Sequence, residues 1–381
     1  MSGIDTEKLT AYLDSLLELG IPSVDCIVYR DHQQIYRHMN GTVDIAHTQI
    51  VREDQRYLMF SMKKVQTMTA IMQLIEQGKL SMDDEVGKYL PAYRTLQVEM
   101  PDGTLQDAKP MLIKHLVSMQ SGLDYDIERA GIKRVLREKG DAATTAEMVN
   151  AIAETPLKFQ PGTHFLYSLS HDVAAAVIEV VSGSSYGEYL KKNIWDKIGM
   201  TDTFFAKPDN TGLERLAQQY IYGDNGKIVP MEQTNNYQLS AVYESGGAGL
   251  VSCTEDYAKL ADTLACGGVA ANHVRILNSE SVEKFKMNLL GDVSRNDLET
   301  SMGRIGYGYG CGMQIFMNPE KVGSTAPAGI FGWDGAAGSC IQMETVSKTS
   351  FVYTMHVRNM GIAYSVIHPK LRDLVFGEIV C

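Results

Sequence analysis

Nowhere does the 381-residue chain hold a run of about 18 consecutive apolar residues, the length a bilayer-spanning helix demands. Positive charge is scarce as well: 35 Lys and Arg stand against 46 Asp and Glu, a formal charge of -11. A nucleic-acid binder needs a basic surface to neutralise phosphates, and an anionic lipid surface repels an acidic chain. Neither nucleic acid nor membrane is therefore an expected partner. The six cysteines (Cys26, Cys253, Cys266, Cys311, Cys340, Cys381) form no C-x-x-C pair, and the nine histidines form no H-x-x-x-H pair. Buried free thiols are expected rather than disulfides, and no metal or other cofactor. Internal repeats, low-complexity tracts and Pro/Ser-rich linkers are also missing. A secretory leader would need a basic start and an apolar run, but Asp5, Glu7, Lys8, Asp14 and Glu18 interrupt that region. The chain reads as cytoplasmic.

What is present is ordinary globular material, 44% hydrophobic and 21% charged, long enough to bury a sizeable core. Leu9, Tyr12, Leu13, Leu16 and Leu17 fall on one helical face that Gly20 can close. Val24 to Tyr29 and Gln34 to His38 read as strands joined by a turn at Asp31 and His32. An extended run from Tyr57 to Phe60 leads into Ser61, after which Val65, Met68, Ile71, Met72 and Ile75 keep helical spacing up to Gly78. Further helices are expected over 113–119, 146–153, 171–181, 186–198 and 255–265. A late hairpin pairs Cys340 to Glu344 with Ser350 to His356, turning through Ser347 and Lys348. A closing helix presents Leu371, Leu374, Val375 and Ile379. The expected fold class is α+β: an antiparallel sheet assembled from both chain ends and covered by terminal helices, with a mostly helical insertion. In residue ranges, 1–85 with 285–381 form the sheet part and 86–284 the helical part, with an active site in the cleft between them.

Three segments carry chemistry. Ser61-Met62-Lys63-Lys64 is an S-x-x-K at a helix start, where residues i and i+3 share a face and the Lys64 amine reaches the Ser61 hydroxyl. Unpaired backbone N–H groups at such a helix start can hold an oxyanion. The amine must be neutral to act as a base, which needs burial or nearby positive charge; Lys63 is a candidate source of that charge, although on a helix it points elsewhere. Standing alone, the motif reads more often as an N-cap followed by a solvated lysine. Tyr167, in Phe165-Leu166-Tyr167-Ser168-Leu169, comes just before a helix, and a phenol near a lysine can pass a proton to a leaving group. Phe331-Gly332-Trp333-Asp334-Gly335-Ala336-Ala337-Gly338 is a glycine-rich segment beside the late hairpin, where a substrate could approach the backbone. Two competing patterns carry less. Gly183-Ser184-Ser185-Tyr186-Gly187 fits the G-x-S-x-G nucleophile elbow, but a helix rather than a strand precedes it, so it reads as a link between helices. Gly306 to Gly312 lacks the third glycine of a dinucleotide fingerprint, Cys311 standing there.

In order and context the three segments resemble the serine β-lactamase and penicillin-binding-protein superfamily, on the branch of class C β-lactamases and family VIII carboxylesterases. Ser61 and Lys64 match its first motif, Tyr167 and Ser168 its second, and Trp333-Asp334-Gly335 its third. The segments 113–123, 246–252 and 306–310 are similar too. The resemblance implies Ser61 as nucleophile, Lys64 and Tyr167 as the proton-handling pair, and an oxyanion hole from the backbone N–H groups of Ser61 and Ala336. It implies substrate contacts at Trp333, Asp334, Gly335, Leu169 and Tyr125. Two departures bear on substrate. Leu169 and Trp333 stand where lactamases carry an asparagine and a lysine. Losing one charged hydrogen bond to a substrate carboxylate costs about 1.5–3 kcal/mol, so neutral, apolar groups are favoured. Asp334, where a small residue is usual, is expected to point into solvent. The function implied is a serine hydrolase working through an acyl-enzyme, foremost a carboxylesterase on small or medium acyl esters. Behind it stand β-lactam or D-amino-acid peptide and amide hydrolysis, acyl transfer to a small acceptor, and a non-catalytic binding protein on the same fold. The partner is a small-molecule ester or amide, and the chain is a monomer or homo-oligomer.

Overall fold

The computed structural model describes residues 4–205, 213–232 and 237–377. Helix α1 (Thr6–Glu18) starts where the Asp5 carboxylate accepts the Lys8 N–H at 3.0 Å. It buries Leu9, Leu13 and Leu16, with Tyr12 and Leu17 at the margin, as the spacing predicts. Each fully buried leucine contributes about 1.5–3 kcal/mol. Strands β1 (Ser23–Arg30) and β2 (Gln33–Gly41) follow as a hairpin. Asp31 and His32 take φ of +46° and +68° at its turn, the paired left-handed conformation that matches strand twist. Asp262 fastens the turn by accepting the His32 N–H at 3.0 Å.

The middle of the chain supplies α2 (Lys64–Glu76), α3 (Ser170–Ser182) and α4 (Thr254–Ala265). The expected helix over 186–198 contains a wide turn at Lys191–Trp195. Every residue of α2 from Lys64 to Leu74 is buried, so it runs through the interior rather than along a surface. Strands β3 (Tyr307–Tyr309), β4 (Gln314–Phe316), β5 (Phe331–Asp334), β6 (Cys340–Glu344) and β7 (Thr349–Thr354) then complete a seven-stranded sheet. Its order is β3-β4-β5-β6-β7-β1-β2, every neighbour antiparallel. Strands from near both chain ends meet where β1 pairs β7, Cys26 facing Tyr353 and Ile27 facing Val352.

Alternation along β7 fixes the layers. Thr354 points to α4, its hydroxyl 2.8 Å from that of Thr254. Phe351 and Tyr353 point the other way, against Phe376 and His368 of α5 (His368–Phe376). α4 thus covers one face and α5, with α1 beside it, the other, and β7 is buried along its whole length. Leu371 and Val375 of α5 are buried as expected; Ile379 lies outside the described residues. Among the described residues no helix is long and apolar enough to cross a membrane.

Candidate active site

The strand Arg56–Leu58 pairs with Leu250–Cys253, and the Met59 N–H still donates to Leu250 O at 2.9 Å. There the expected extension to Phe60 ends. Phe60 adopts φ +45° and opens a tight turn, Phe60–Lys63, that runs into α2. A non-glycine residue held in the left-handed region stores of order 1–3 kcal/mol of strain, which the surrounding packing must hold. The result is to lift Ser61 out of the strand line at the head of a buried helix. Neither the Ser61 nor the Ala336 backbone N–H finds an acceptor among the described residues. Lys64 Nζ lies 3.1 Å from Ser61 Oγ, 2.8 Å from Gly247 O and 3.4 Å from the Tyr125 hydroxyl. Burial pulls the Lys64 amine down to about 7, with the Asp172 carboxylate opposing. Asp172 is itself held by the Tyr243 and Ser245 hydroxyls at 2.7 and 2.6 Å. Gly247 leaves room for this group: a Cβ there would come within 3.0 Å of both Lys64 Nζ and Asp172 Oδ2. Lys63 plays no part in the Lys64 shift. It is fully buried with its ammonium over the Phe205 and Tyr186 rings, at 3.9 and 4.5 Å, and burial drives its own pKa far down.

Tyr167 reaches the site from the segment ahead of α3. Its ring stacks on Tyr125 at 5.5 Å, and Lys64 Nζ lies 4.8 Å from its centre. Its hydroxyl accepts the Trp333 indole N–H at 3.0 Å. Burial raises the phenol strongly, opposed by hydrogen bonds from Ser61 and Trp333, so it carries its proton at neutral pH. Trp333 is buried in β5, between Tyr167 and an edge-on Tyr309. It positions Tyr167 rather than presenting an open wall.

Asp334 contradicts the expectation that it points into solvent. Its side chain is 4% exposed and pairs with Arg304, which is 7% exposed, while His368 Nδ1 approaches to 3.1 Å. Burial pushes its carboxyl up, but Arg304 and His368 prevail and hold it at about 2. The pairing has a clear physical reason: the strand beside the site is closed on both faces, and a charge there needs a partner. Leu169, expected at the substrate, is 2% exposed and part of the main core, because it leads directly into α3. Gly335 sits where a Cβ would come within 2.6 Å of Met59 O, and its carbonyl accepts the Tyr364 hydroxyl at 2.9 Å. Ser185 caps the helix Tyr186–Leu190, exchanging hydrogen bonds with Glu188, and is no nucleophile elbow. Ser61, Lys64, Tyr125, Tyr167 and Trp333 thus come together, with Ala336 packed against the cluster that holds Phe60; Leu169 and the Asp334 carboxylate do not face the same space.

Sequence reasoning missed Asp172, Arg304 and His368, and also Tyr237, whose ring meets that of Tyr125 edge-on at 5.5 Å. Only Arg304 had a usable signal, since an aspartate in a glycine-rich buried strand demands a cation. Two groups of donors lie within 4.8 Å of one another among the described residues: Asp334, Cys340 and His368, and Asp31, His32 and Cys266. Arg304 already balances the first. In the second, Lys348 holds Asp31 and Asp262 holds His32.

Comparison with known proteins fits this geometry. The family described as Beta-lactamase matches residues 9–361. Esterase EstB of Burkholderia gladioli is 26% identical, over 98% of this chain and 97% of its own. A putative D-alanyl-D-alanine carboxypeptidase of Escherichia coli K12 is 24% identical, over 97% of this chain and 87% of its own. Among solved structures, EstCE1, titled a hydrolase with promiscuous acyltransferase activity, superposes with a TM-score of 0.79 at 22% identity, covering 98% of this chain and all of its own. Simvastatin synthase (LovD) of Aspergillus terreus gives 0.79 at 17% identity, over all of this chain and 98% of its own. With the match running through every segment that builds the site, the chain is a serine hydrolase of the beta-lactamase family.

Proposed function

We propose that the chain is a carboxylesterase in which Ser61 carries the acyl group. The observation that supports this best is the Ser61–Lys64 contact at 3.1 Å, made by an amine that burial brings to about 7. Such an amine is neutral often enough to take the Ser61 proton as the hydroxyl oxygen attacks the ester carbonyl. The free Ser61 and Ala336 N–H groups receive the developing oxyanion. Tyr167, protonated and near Ser61, gives its proton to the departing alkoxide as the C–O bond breaks. Water then attacks the acyl-enzyme by the reverse proton route and releases the acid. Trp333 at the lactamase lysine position supplies no cation for a substrate carboxylate on that side, which favours a neutral ester over a lactam. The Tyr125 ring lines the space, and the cleft lies between the sheet part (1–85 with 285–381) and the helical part (86–284). Acyl transfer to an alcohol is the second reading, because a second alcohol in place of water uses the same groups; EstCE1 is titled a hydrolase with promiscuous acyltransferase activity.

The direct test is covalent. A fluorophosphonate is expected to add once, at Ser61, in the folded chain, and Ser61→Ala to abolish the adduct while Ser185→Ala keeps it. An adduct at Ser185, or none in the wild type, overturns the reading. The Trp333 hydrogen bond has its own consequence. Trp333→Phe keeps the ring packing but removes the N–H, and kcat for 4-nitrophenyl butyrate is expected to fall about fivefold, in line with a hydrogen bond worth about 1 kcal/mol. KM stays level, because the bond acts on Tyr167 and not on the substrate.

A further inference from the structure

Among the described residues Arg358 is a cation without an anion. It follows Val357, whose N–H donates to Ala337 O at 3.0 Å, so it is tethered beside Ala336. Its guanidinium lies over the Phe60 ring at 5.4 Å, one residue from Ser61. Phe60, Ala336, Ala337 and Tyr237 pack in one small cluster separate from the main core. Tyr237 meets Phe60 edge-on at 6.4 Å and Tyr125 at 5.5 Å, which carries the wall from Arg358 round to the Lys64 side. The Arg358 side chain is partly exposed and makes no ion pair or hydrogen bond with a described residue, whereas Arg304 is spent on Asp334. The nearby carboxylates do not oppose an incoming anion: Asp334 is paired, and Asp172 lies behind Tyr243, Ser245 and Lys64.

The tetrahedral carbon on Ser61 distributes its other three substituents by these contacts. The oxyanion turns to the Ser61 and Ala336 N–H groups, and the leaving oxygen to Tyr167. The acyl chain takes the remaining direction, along Phe60 and Tyr237. We propose that Arg358 binds a carboxylate at the far end of the acyl group, so that the preferred substrates are monoesters of dicarboxylic acids. The proposal rests on the esterase reading above. It restores the cation lost with the lactamase lysine, but on the acyl side rather than beside Trp333, where the group remains neutral.

The test compares 4-nitrophenyl hydrogen adipate with its methyl ester, which has nearly the same shape and no charge. Wild type is expected to favour the free carboxylate in kcat/KM about 10- to 100-fold, the range of one charged hydrogen bond. Arg358→Met brings the ratio close to one, mainly through KM, and Arg358→Lys recovers part of it. Raising salt to about 0.5 M narrows the wild-type ratio by screening a partly exposed pair. A wild-type ratio near one, or a ratio that Arg358→Met leaves unchanged, overturns the assignment of Arg358. Turnover of both esters by Ser61→Ala would instead overturn the esterase reading, so the two failures are distinct.

Discussion

Replacing Lys64 by methionine is expected to lower kcat/KM for 4-nitrophenyl butyrate by about a thousandfold, the usual scale for a positioned general base. Ser61→Ala loses at least as much, since the two groups act as a unit. The pH profile separates a base from a structural lysine. With the amine at about 7 in the folded enzyme, kcat/KM rises with pH through 7 and levels above it. Below that point it falls about tenfold per pH unit, because only the neutral amine accepts the Ser61 proton. Tyr167 supplies no second step in this range, as burial holds its phenol protonated. Residual turnover in Lys64→Met loses the inflection near 7. The melting temperature, read in the same buffer, tells lost chemistry from lost structure. A profile flat between pH 5.5 and 8.5 in the wild type would rule out Lys64 as the base.

The parts of the fold legible in the sequence are those with long, regular patterns. β1 and β7 hold short apolar stretches at Cys26–Tyr29 and Phe351–Tyr353, α1 carries a clean leucine stripe, and the late hairpin begins and ends close to where the pattern puts it. β3 and β4 escaped because each has three residues, and Tyr307-Gly308-Tyr309 offers a glycine where alternation needs a side chain. β5 escaped for a related reason: its Gly332 and the glycines after it read as a turn, although the strand is the third of seven. The left-handed Phe60 has no local signal whatever. Its ring packs with Leu58, Val251 and Ala337 in a cluster of their own, and nothing in the five residues around it asks for a turn.

For the site, the motifs placed Ser61, Lys64 and Tyr167 because their chemistry depends on local spacing or on order along the chain. The supporting groups act across elements. Asp172 reaches the Lys64 environment from α3, and Arg304 and His368 reach Asp334 from 30 and 34 positions away. No periodicity encodes such a meeting. The error over Asp334 shows the cost: a charged residue beside an apparent turn was read as solvated, when the segment was a central strand and the charge had been neutralised from below.

That buried pair makes the loss of Asp334 costly to the fold. Asp334→Ala is expected to destabilise the protein by about 3–5 kcal/mol, because it leaves Arg304 buried and uncompensated. Asp334→Asn loses a similar amount, since shape is preserved while the charge is not. Combining Asp334→Asn with Arg304→Met is expected to recover much of the loss, because neither partner then remains as a lone buried charge. Additive losses in the double variant would mean that packing, not charge, holds this corner. Acid unfolding gives an independent reading. The folded carboxyl titrates at about 2, below its ordinary 3.8. A depressed folded value means stability that is complete above about pH 4 and lost as pH falls towards 2, worth about 2 kcal/mol. Wild type should show that slope in denaturant midpoints between pH 4 and 2, and Asp334→Asn should lack it. The effect reaches the chemistry as well, because Gly335 and Ala336 follow Asp334 directly and Arg304 lies 5.7 Å from the centre of the Trp333 ring. A variant folded at low temperature is therefore expected to lose turnover, through displaced Ala336 and Tyr167, before it loses its secondary structure.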